Sequence, residues 1–356
     1  MPHETRNGPL RVAVVGATGL VGQTMIRLLA DRRFPVSELL PLASREDGRS
    51  VQFAGRAVPV RAATPEAFEG VDLALFSAGS EVARALAPEA ARRGALVVDN
   101  SSEWRMQPGV PLVVPEVNPD DAERHDGIIA NPNCSTMQMV LALAPIRDRA
   151  GIERVVVSTY QSVSGTGQRA VEELMEQSRA VVAGEPVRSP EIYPHQIAFN
   201  VLPQVEAFRD GDLYTTEERK MMAETRKILG EPELPLSATC ARVPVLQGHS
   251  ESINVETTEP LTAQACRELL AAAPGLAVID DPTAALYPLA TAAAGRDEVL
   301  VGRIRPDPSR ERCLNLWVVG DNLRKGAALN AVQLAELVVE RAAPRAKEPA
   351  APPAAA

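Results

Sequence analysis

Short apolar runs alternate with helical patterns along the first part of the chain. The first run, RVAVVG (11–16), ends in glycine and is typical of a buried parallel strand, and TGLVGQTMIRLLADR then follows as a helix. Further apolar runs lie at 71–79, 95–102 and 127–134, with an Ala-rich helical stretch at 81–93 and the helix STMQMVLALAPIRD after the last run. This alternation predicts βαβ units and a parallel sheet of Rossmann type.

The pattern changes after about residue 150, where longer runs alternate or carry many β-branched residues. These runs predict a second α+β domain with a mixed, largely antiparallel sheet, and they lie at 155–165, 236–245, 252–258, 299–306 and 312–321. The last helical pattern, AALNAVQLAELVVERA (327–342), has a wide apolar face that we expect to return to the first domain. The predicted domains are therefore 1–133 completed by the helix 326–342, then 134–325, with a disordered Pro/Ala-rich tail at 343–356.

Composition excludes several classes of function. A net charge of −9 disfavours binding to nucleic acid or to an anionic membrane, because both need a positive surface. The four cysteines form no CxxC pair, so neither a metal site nor a disulfide framework is predicted. The N-terminal MPHETRNGPL has no apolar secretory core, and no apolar run reaches the roughly 18 residues that span a bilayer. We expect a cytoplasmic chain that acts on a small molecule.

A glycine-rich turn after the first strand predicts a dinucleotide site. Gly16, Gly19 and Gly22 let the backbone turn sharply and approach a pyrophosphate, which the following helix N-terminus attracts. Three glycines can also mark only a tight turn, and it is the strand–turn–helix context that favours a cofactor. The predicted contacts on this turn are Gly16, Thr18, Gly19, Leu20 and Val21.

The residues after the second predicted strand bear on the choice between NAD and NADP. NAD enzymes usually place an acidic residue there, whereas this chain has Ser44 and Arg45, which suit a 2′-phosphate. Glu46 and Asp47 come next, so the alternative is an exposed charged turn. NADP is the predicted cofactor, and 1–133 is predicted to bind it.

The segment NPNCST (131–136) contains the candidate nucleophile, Cys134. It lies between a predicted strand and a predicted helix, where the helix dipole is expected to lower the thiol pKa. The alternative is a buried structural cysteine, and we interpret Cys240, Cys266 and Cys313 in that way. A thiolate beside a nicotinamide indicates oxidation or reduction through a covalent thioester.

Such chemistry needs a proton donor or acceptor, and only four histidines are present. His3 lies in the polar leader, His125 in a charged stretch and His195 in a loop. His249 opens the strand GHSESINVE close to Arg242, so it is the first candidate and is expected to titrate near pH 6–7. The alternative is a histidine that only packs under the strand.

Ten segments in order resemble bacterial aspartate-semialdehyde dehydrogenases, and they cover about residues 10 to 341. They are GATGLVG, FSAG, DNSSEWRM, PEVN, NPNCST, YQSVSGTG, FNVLPQVEAF, YTTEERKMMAETRKIL, CARVPVLQGHSESINVE and GDNLRKGAALNAVQ. The resemblance implies NADPH-dependent reduction of aspartyl-4-phosphate to aspartate semialdehyde and phosphate, in the biosynthesis of lysine, threonine, methionine and isoleucine. It also implies catalysis and dimerisation by 134–325, and a homodimer fits the half-exposed second sheet.

The same resemblance implies a role for each matching residue. Cys134 would be the acyl-thioester nucleophile, His249 the proton donor or acceptor, and Gln161 would orient the substrate. Arg242 would hold the α-carboxylate and Glu217 the amino group. The remaining roles fall to Arg105 and Lys220 for the phosphate, and to Ser164, Gly165 and Asn322 for the cofactor. Without the family pattern, Glu217 and Lys220 would be interpreted as a solvated helix surface.

Related chemistries remain as alternatives. An N-acetyl-glutamyl-phosphate reductase, or another acyl-phosphate or acyl-thioester reductase on this scaffold, would use the same thioester logic. Glyceraldehyde-3-phosphate dehydrogenase typically prefers NAD and has a different nucleophile motif. A catalytically silent paralogue that serves as a binding protein is expected to lose the cysteine or the histidine, and this chain has both.

Overall fold

The structure, a computed structural model, describes residues 8–45 and 48–342. The first sheet has six strands, all parallel, in the order β5-β2-β1-β6-β7-β8. Its strands are β1 Leu10–Val15, β2 Val36–Ala43, β5 Arg61–Ala62, β6 Leu73–Phe76, β7 Leu96–Asp99 and β8 Ile128–Ala130, and a small hairpin joins β3 Ser50–Phe53 to β4 Arg56–Pro59. The central strands are buried on both faces, as parallel sheets require.

The second sheet has six strands in the order β10-β9-β11-β14-β13-β12, and three of its five pairings are antiparallel. Its strands are β9 Arg154–Gln161, β10 Leu236–Arg242, β11 His249–Glu256, β12 Leu276–Val278, β13 Val299–Pro306 and β14 Cys313–Gly320. Buried residues alternate with half-exposed ones along β9 and β11. One face therefore packs on helices and the other meets solvent in the single chain.

Eight α-helices cover and connect these sheets within the described residues. They are α1 Leu20–Asp31, α2 Ser80–Arg92, α3 Cys134–Ala150, α4 Gln168–Ala183, α5 Thr216–Leu229, α6 Ala263–Ala272, α7 Ala290–Ala293 and α8 Leu329–Ala342. Helix α3 is buried along most of its length and shares a core with the second sheet. A π-helical turn, Arg324–Ala328, precedes α8, and α8 packs its apolar residues into the core of the first sheet.

The Rossmann-type sheet and the mixed second sheet that the sequence predicts are both confirmed, as is the return of the last helix to the first core. The pattern did not reveal the hairpin β3–β4, the short strand β12 or helix α4. The exact domain limits stay a prediction, and the proposed tail at 343–356 and His3 lie outside the described residues. No helix within 8–45 and 48–342 is long and apolar enough to cross a membrane.

Candidate active site

The turn after β1 is built for close approach of the backbone. The Gly16 N–H donates to the Leu42 carbonyl at 2.8 Å, and Gly16 has φ of 83°, which favours glycine. A Cβ at Gly16 would lie 2.8 Å from the Ser77 carbonyl oxygen, and one at Gly22 would lie 2.2 Å from the Gly16 carbonyl oxygen. Gly19 caps α1 without a side-chain hydrogen bond. The close-packed glycine turn leads into a helix whose first N–H groups donate to no capping side chain within the described residues, and this arrangement fits a dinucleotide pyrophosphate.

A cleft of about 690 Å³ opens beside this turn, where β6, β7 and β8 end. Its volume is in the range of small-molecule sites. The structure brings ten of the predicted site residues to its wall: Val21, Arg105, Cys134, Gln161, Ser164, Gly165, Glu217, Lys220, Arg242 and Asn322. Ligands of open α/β folds bind at this carboxyl edge.

The other predicted cofactor residues lie next to the cleft rather than on its described wall. Gly16, Thr18, Gly19 and Leu20 form the turn that leads to Val21. Ser44 and Arg45 are exposed just after β2, whose last residues pair with the end of β1. They therefore lie at the same edge of the sheet as the glycine turn.

The nucleophile candidate occupies the first position of α3. Asn133 caps this helix, and its Oδ1 accepts the backbone N–H groups of Ser135 and Thr136 at 2.9 and 3.1 Å. The turn Arg324–Ala328 presses against Cys134, because a Cβ at Gly326 would lie 2.9 Å from the Cys134 Cβ. Cys134 is partly exposed to the cleft, whereas Cys240, Cys266 and Cys313 are buried and unpaired.

The expected lowering of the Cys134 pKa is wrong for the unliganded site. Burial raises the pKa of the thiol to about 12, and the nearby Glu217 carboxylate adds to this rise. The cations Arg242 and Arg105 and the Ser135 N–H act in the opposite direction, but they do not outweigh burial. The sequence showed the helix start but not the depth at which the thiol lies.

Strand register in the second sheet brings three predicted side chains to one end of its buried face. Arg242 is the register partner of Gln161 in the parallel pair β10–β9. Ser250 pairs with Tyr160 in the antiparallel pair β11–β9, so His249 lies beside the same strand end. All three side chains are buried. The turn between β10 and β11 thus places Arg242 and His249 together.

His249 is oriented by Ser162. The Ser162 backbone N–H donates to His249 Nδ1 at 3.0 Å, so the neutral imidazole carries its proton on Nε2, which has no partner in the part of the chain that the structure describes. A Cβ at Gly165 would lie 3.2 Å from His249 Nε2 and from Arg242 Nη1. Burial and then Arg242 hold the pKa of His249 well below its usual range. The expectation that His249 titrates near pH 6–7 is therefore wrong, because the imidazole is buried beside the positively charged Arg242.

Arg242 is arranged to receive an anion. Its Nη1 donates to the Ser162 carbonyl oxygen at 2.7 Å, while its buried Nε has no partner within the described residues. A buried guanidinium with an unused N–H suits a substrate carboxylate.

Helix α5 supplies the acidic part of the site. Glu217 is buried, and its Oε1 accepts from Asn133 Nδ2 at 2.9 Å and from Gln161 Nε2 at 3.1 Å. Lys220 pairs with Glu206 and lies 4.0 Å from Glu217 Oε2. These residues line the cleft, so the interpretation of Glu217 and Lys220 as a solvated surface does not hold.

Arg105 reaches the cleft from the loop after β7, and protein acceptors hold it on three sides. Its Nε donates to the Asn131 carbonyl oxygen at 3.0 Å, its Nη2 to the Asn100 carbonyl oxygen at 2.7 Å, and its Nη1 to Glu224 Oε1 at 3.0 Å. Glu224 is not among the site residues that the sequence predicts. Its spacing of seven residues from Glu217 on one helix is the signal that could have found it.

Asn322 closes the site from the second sheet. Its Oδ1 accepts the Gly248 N–H at 2.9 Å, and its Nδ2 donates to Ser164 Oγ at 2.9 Å. Ser164 and Asn322 line the cleft, and Asn322 holds Gly248, the residue before His249, behind this wall rather than on it.

Two family models match most of the chain. A semialdehyde dehydrogenase NAD binding domain matches residues 11–125, and a semialdehyde dehydrogenase dimerisation domain matches residues 143–325. The chain is similar to the aspartate-semialdehyde dehydrogenase of Aquifex aeolicus, at 54% identity over 93% of this chain and 98% of that protein. It is 52% identical to the Bacillus subtilis protein of the same name, over 92% and 96% of the two chains.

Solved structures agree. One is aspartate semialdehyde dehydrogenase II from Vibrio cholerae complexed with ASA, with a TM-score of 0.90, 46% identity, and coverage of 94% of this chain and 99% of that one. Another is aspartate semialdehyde dehydrogenase with NADP from Candida albicans, with a TM-score of 0.71, 25% identity, and coverage of 93% and 98%.

Proposed function

The chain belongs to the aspartate-semialdehyde dehydrogenase family, and from this premise we propose that it reduces aspartyl-4-phosphate to aspartate semialdehyde and phosphate. The reaction is reversible and serves the synthesis of lysine, threonine, methionine and isoleucine. One observation supports it above the others: the cleft places a thiol, a buried carboxylate and a buried guanidinium around one small volume. Cys134, Glu217 and Arg242 match an acyl carbon, an ammonium and an α-carboxylate.

The nucleophile acts first. Cys134 Sγ attacks the acyl carbon, the carbon–oxygen bond to phosphate breaks, and the thiol proton leaves with the phosphate, so that a thioester and hydrogen phosphate result. Arg105 carries two further N–H groups beyond the three already used, and these are placed to hold the phosphate.

A nicotinamide cofactor, when bound, supplies the hydride of the overall reduction. His249 relays one solvent proton through Nε2 to the substrate oxygen as the reduced acyl carbon forms, so the imidazole ends the step neutral. The hydroxyl proton then passes to Sγ as the carbon–sulfur bond breaks, which releases the aldehyde and returns the thiol. Gln161, held by Glu217, orients the acyl group beside Cys134.

The turn Gly16–Val21 would hold the pyrophosphate, and Ser164, Gly165 and Asn322 would meet the nicotinamide end. We propose NADP rather than NAD, because Ser44 and Arg45 follow β2 at the same edge as the turn. The Candida albicans structure with NADP supports this choice.

Replacing Arg45 tests the cofactor choice. In Arg45→Ala we expect the KM for NADPH to rise by roughly tenfold or more, with the KM for NADH changed less than about twofold, since only NADPH carries the 2′-phosphate. Initial rates with each cofactor give both values. Equal rises would remove Arg45 as the residue that distinguishes the two cofactors.

A Cys134→Ser variant tests the function. Wild-type protein should convert aspartate semialdehyde, phosphate and NADP to NADPH, and the variant should lose nearly all of this activity while keeping its NADPH affinity. Mass spectrometry of wild-type enzyme quenched during turnover should show an aspartyl adduct on the Cys134 peptide. Near-normal turnover by Cys134→Ser would exclude the covalent route.

N-acetyl-glutamyl-phosphate reduction is less well supported, because an acylated amine does not need the buried Glu217 carboxylate. We also propose a homodimer, through the half-exposed face of the second sheet within the matched dimerisation region. The four unpaired cysteines support a cytoplasmic setting.

A further inference from the structure

Glu224 connects two parts of the site that come from different loops. The carboxylate is 1% exposed and lies on α5, seven residues after Glu217. Its Oε1 accepts from Arg105 Nη1 at 3.0 Å, and its Oε2 accepts the backbone N–H of Asn133 at 2.7 Å. Asn133 directly precedes the nucleophile, so one side chain bonds both the predicted phosphate-binding guanidinium and the start of the nucleophile helix.

The same helix also holds the backbone of the Arg105 loop. Lys227 Nζ donates to the Arg105 carbonyl oxygen at 2.6 Å and to the Val110 carbonyl oxygen at 2.8 Å. The loop is thus fixed at its main chain by Lys227 and at its side chain by Glu224. Since the Asn131 and Asn100 carbonyl oxygens accept from Nε and Nη2, the guanidinium is held in one orientation.

We propose that Glu224 is a positioning residue that aims Arg105 at the phosphate and fixes its distance from Cys134. This inference rests on the proposed function and deepens it. Geometry of this kind matters because a bidentate phosphate contact depends on the plane of the guanidinium as well as on its charge.

Glu224 could act by neutralising the charge of Arg105 or by orienting its side chain. These two roles predict opposite changes in phosphate binding when Glu224 loses its charge. Burial raises the pKa of Glu224, while Arg105 and then the Asn133 N–H act against that rise, and the distance of 3.0 Å between Glu224 Oε1 and Arg105 Nη1 is that of an ion pair. If Glu224 served only to neutralise Arg105, its removal would leave more positive charge and tighten phosphate binding. If Glu224 orients Arg105, its removal loosens the guanidinium and weakens phosphate binding.

Glu224→Gln separates the two cases. Its amide has one acceptor oxygen for two donors, so one buried N–H loses its partner. We expect the KM for phosphate to rise by roughly tenfold or more, with the KM values for aspartate semialdehyde and NADP within about threefold of wild type. Glu224→Asp keeps the charge, but its shorter side chain does not reach both donors, and it should shift the phosphate KM in the same direction.

Glu218→Gln is the matched control. Glu218 is also buried on α5 and accepts two backbone N–H groups, that of Cys240 at 2.9 Å and that of Thr215 at 2.8 Å, but among the described residues neither partner lines the cleft. It should lose thermal stability to a similar extent while its phosphate KM stays at the wild-type value. A fall or no change in the phosphate KM of Glu224→Gln, or of Glu224→Asp if the first variant does not fold, would overturn the proposal.

A second measurement is independent of turnover. The concentration of inorganic phosphate that half-protects Cys134 from iodoacetamide reports phosphate binding beside the thiol, and it should rise in both Glu224 variants but not in Glu218→Gln. A wild type inactive towards aspartate semialdehyde would refute the proposed function, while this protection assay would still decide the role of Glu224. Equal half-protection in wild type and variants would refute that role.

Discussion

At the scale of single residues, burial and the neighbouring Glu217 carboxylate raise the pKa of the Cys134 thiol, although part of the residue is exposed to the cleft. Because the thiol pKa is raised to about 12, the thiolate fraction should keep growing over the whole accessible alkaline range. We expect the rate of alkylation by iodoacetamide to rise by about tenfold per pH unit between roughly pH 7 and 10, since only the thiolate reacts. Peptide mass spectrometry at each pH measures the alkylated fraction of Cys134 over time, and hence this rate.

Glu217→Gln sharpens this prediction. Removing the carboxylate that raises the thiol pKa should speed alkylation at a fixed pH, whereas Glu218→Gln, which changes a buried acid outside the cleft, should not. A plateau of the wild-type rate near pH 7–8 would show that the helix dipole dominates over burial after all.

At the scale of elements, β11 carries a buried acid two residues after His249. Glu251 lies on the buried face of the strand and neither carboxylate oxygen has a hydrogen-bond partner within the described residues. Burial raises its pKa well above the usual range, and Glu217 adds to this, while Gln138 acts in the opposite direction. The folded protein therefore keeps a proton on Glu251 at pH values where the unfolded chain has lost it.

This difference makes stability depend on pH. An acid whose folded pKa is raised costs stability as pH rises above its unfolded pKa of about 4.5, because the folded state binds more protons. Glu251→Gln removes the cost, so the difference in Tm between variant and wild type should increase as pH rises above about 4.5 and level off where the folded protein itself releases the proton. A difference that is constant with pH would mean that Glu251 titrates normally.

Helices, strands and turns could be predicted where their sequence pattern depends on neighbouring residues. The glycine turn, the strand RVAVVG and the helix that begins near Cys134 depend on neighbours in sequence, and they appear where the pattern places them. His249, Arg242 and Gln161 meet because of register between β9, β10 and β11, which no local pattern encodes. The short spacing of Arg242 and His249 in sequence paired these two, whereas Gln161 was added only by the family resemblance. Glu224 was not predicted because its partners lie 91 and 119 residues away.

At the scale of the whole molecule, the solvent face of the second sheet is the predicted contact between two copies. Tyr160 is exposed there and its ring lies 5.4 Å from that of Trp317, as measured between centroids. We expect light scattering to give twice the chain mass of 38.0 kDa. Tyr160→Glu should raise the dimer dissociation constant by roughly a hundredfold, because it places an unpaired charge in the contact.

Gln52→Glu adds the same charge at an exposed position of the hairpin β3–β4, far from that face, and it should leave the mass unchanged. If Tyr160→Glu also stays dimeric at micromolar concentration, the contact lies on another surface.

The return of α8 to the first sheet affects how the chain folds during synthesis. Leu329, Val332 and Leu334 complete a core whose other members include Leu10, Val12 and Val14, so the earliest and the latest translated parts of the fold depend on each other. On the ribosome the glycine turn is synthesised long before α8, the helix that covers the apolar face of the first sheet. The second sheet, with its own core, is able to form in the interval. Ribosome-stalled chains that end before residue 329 should therefore present an open apolar layer to chaperones.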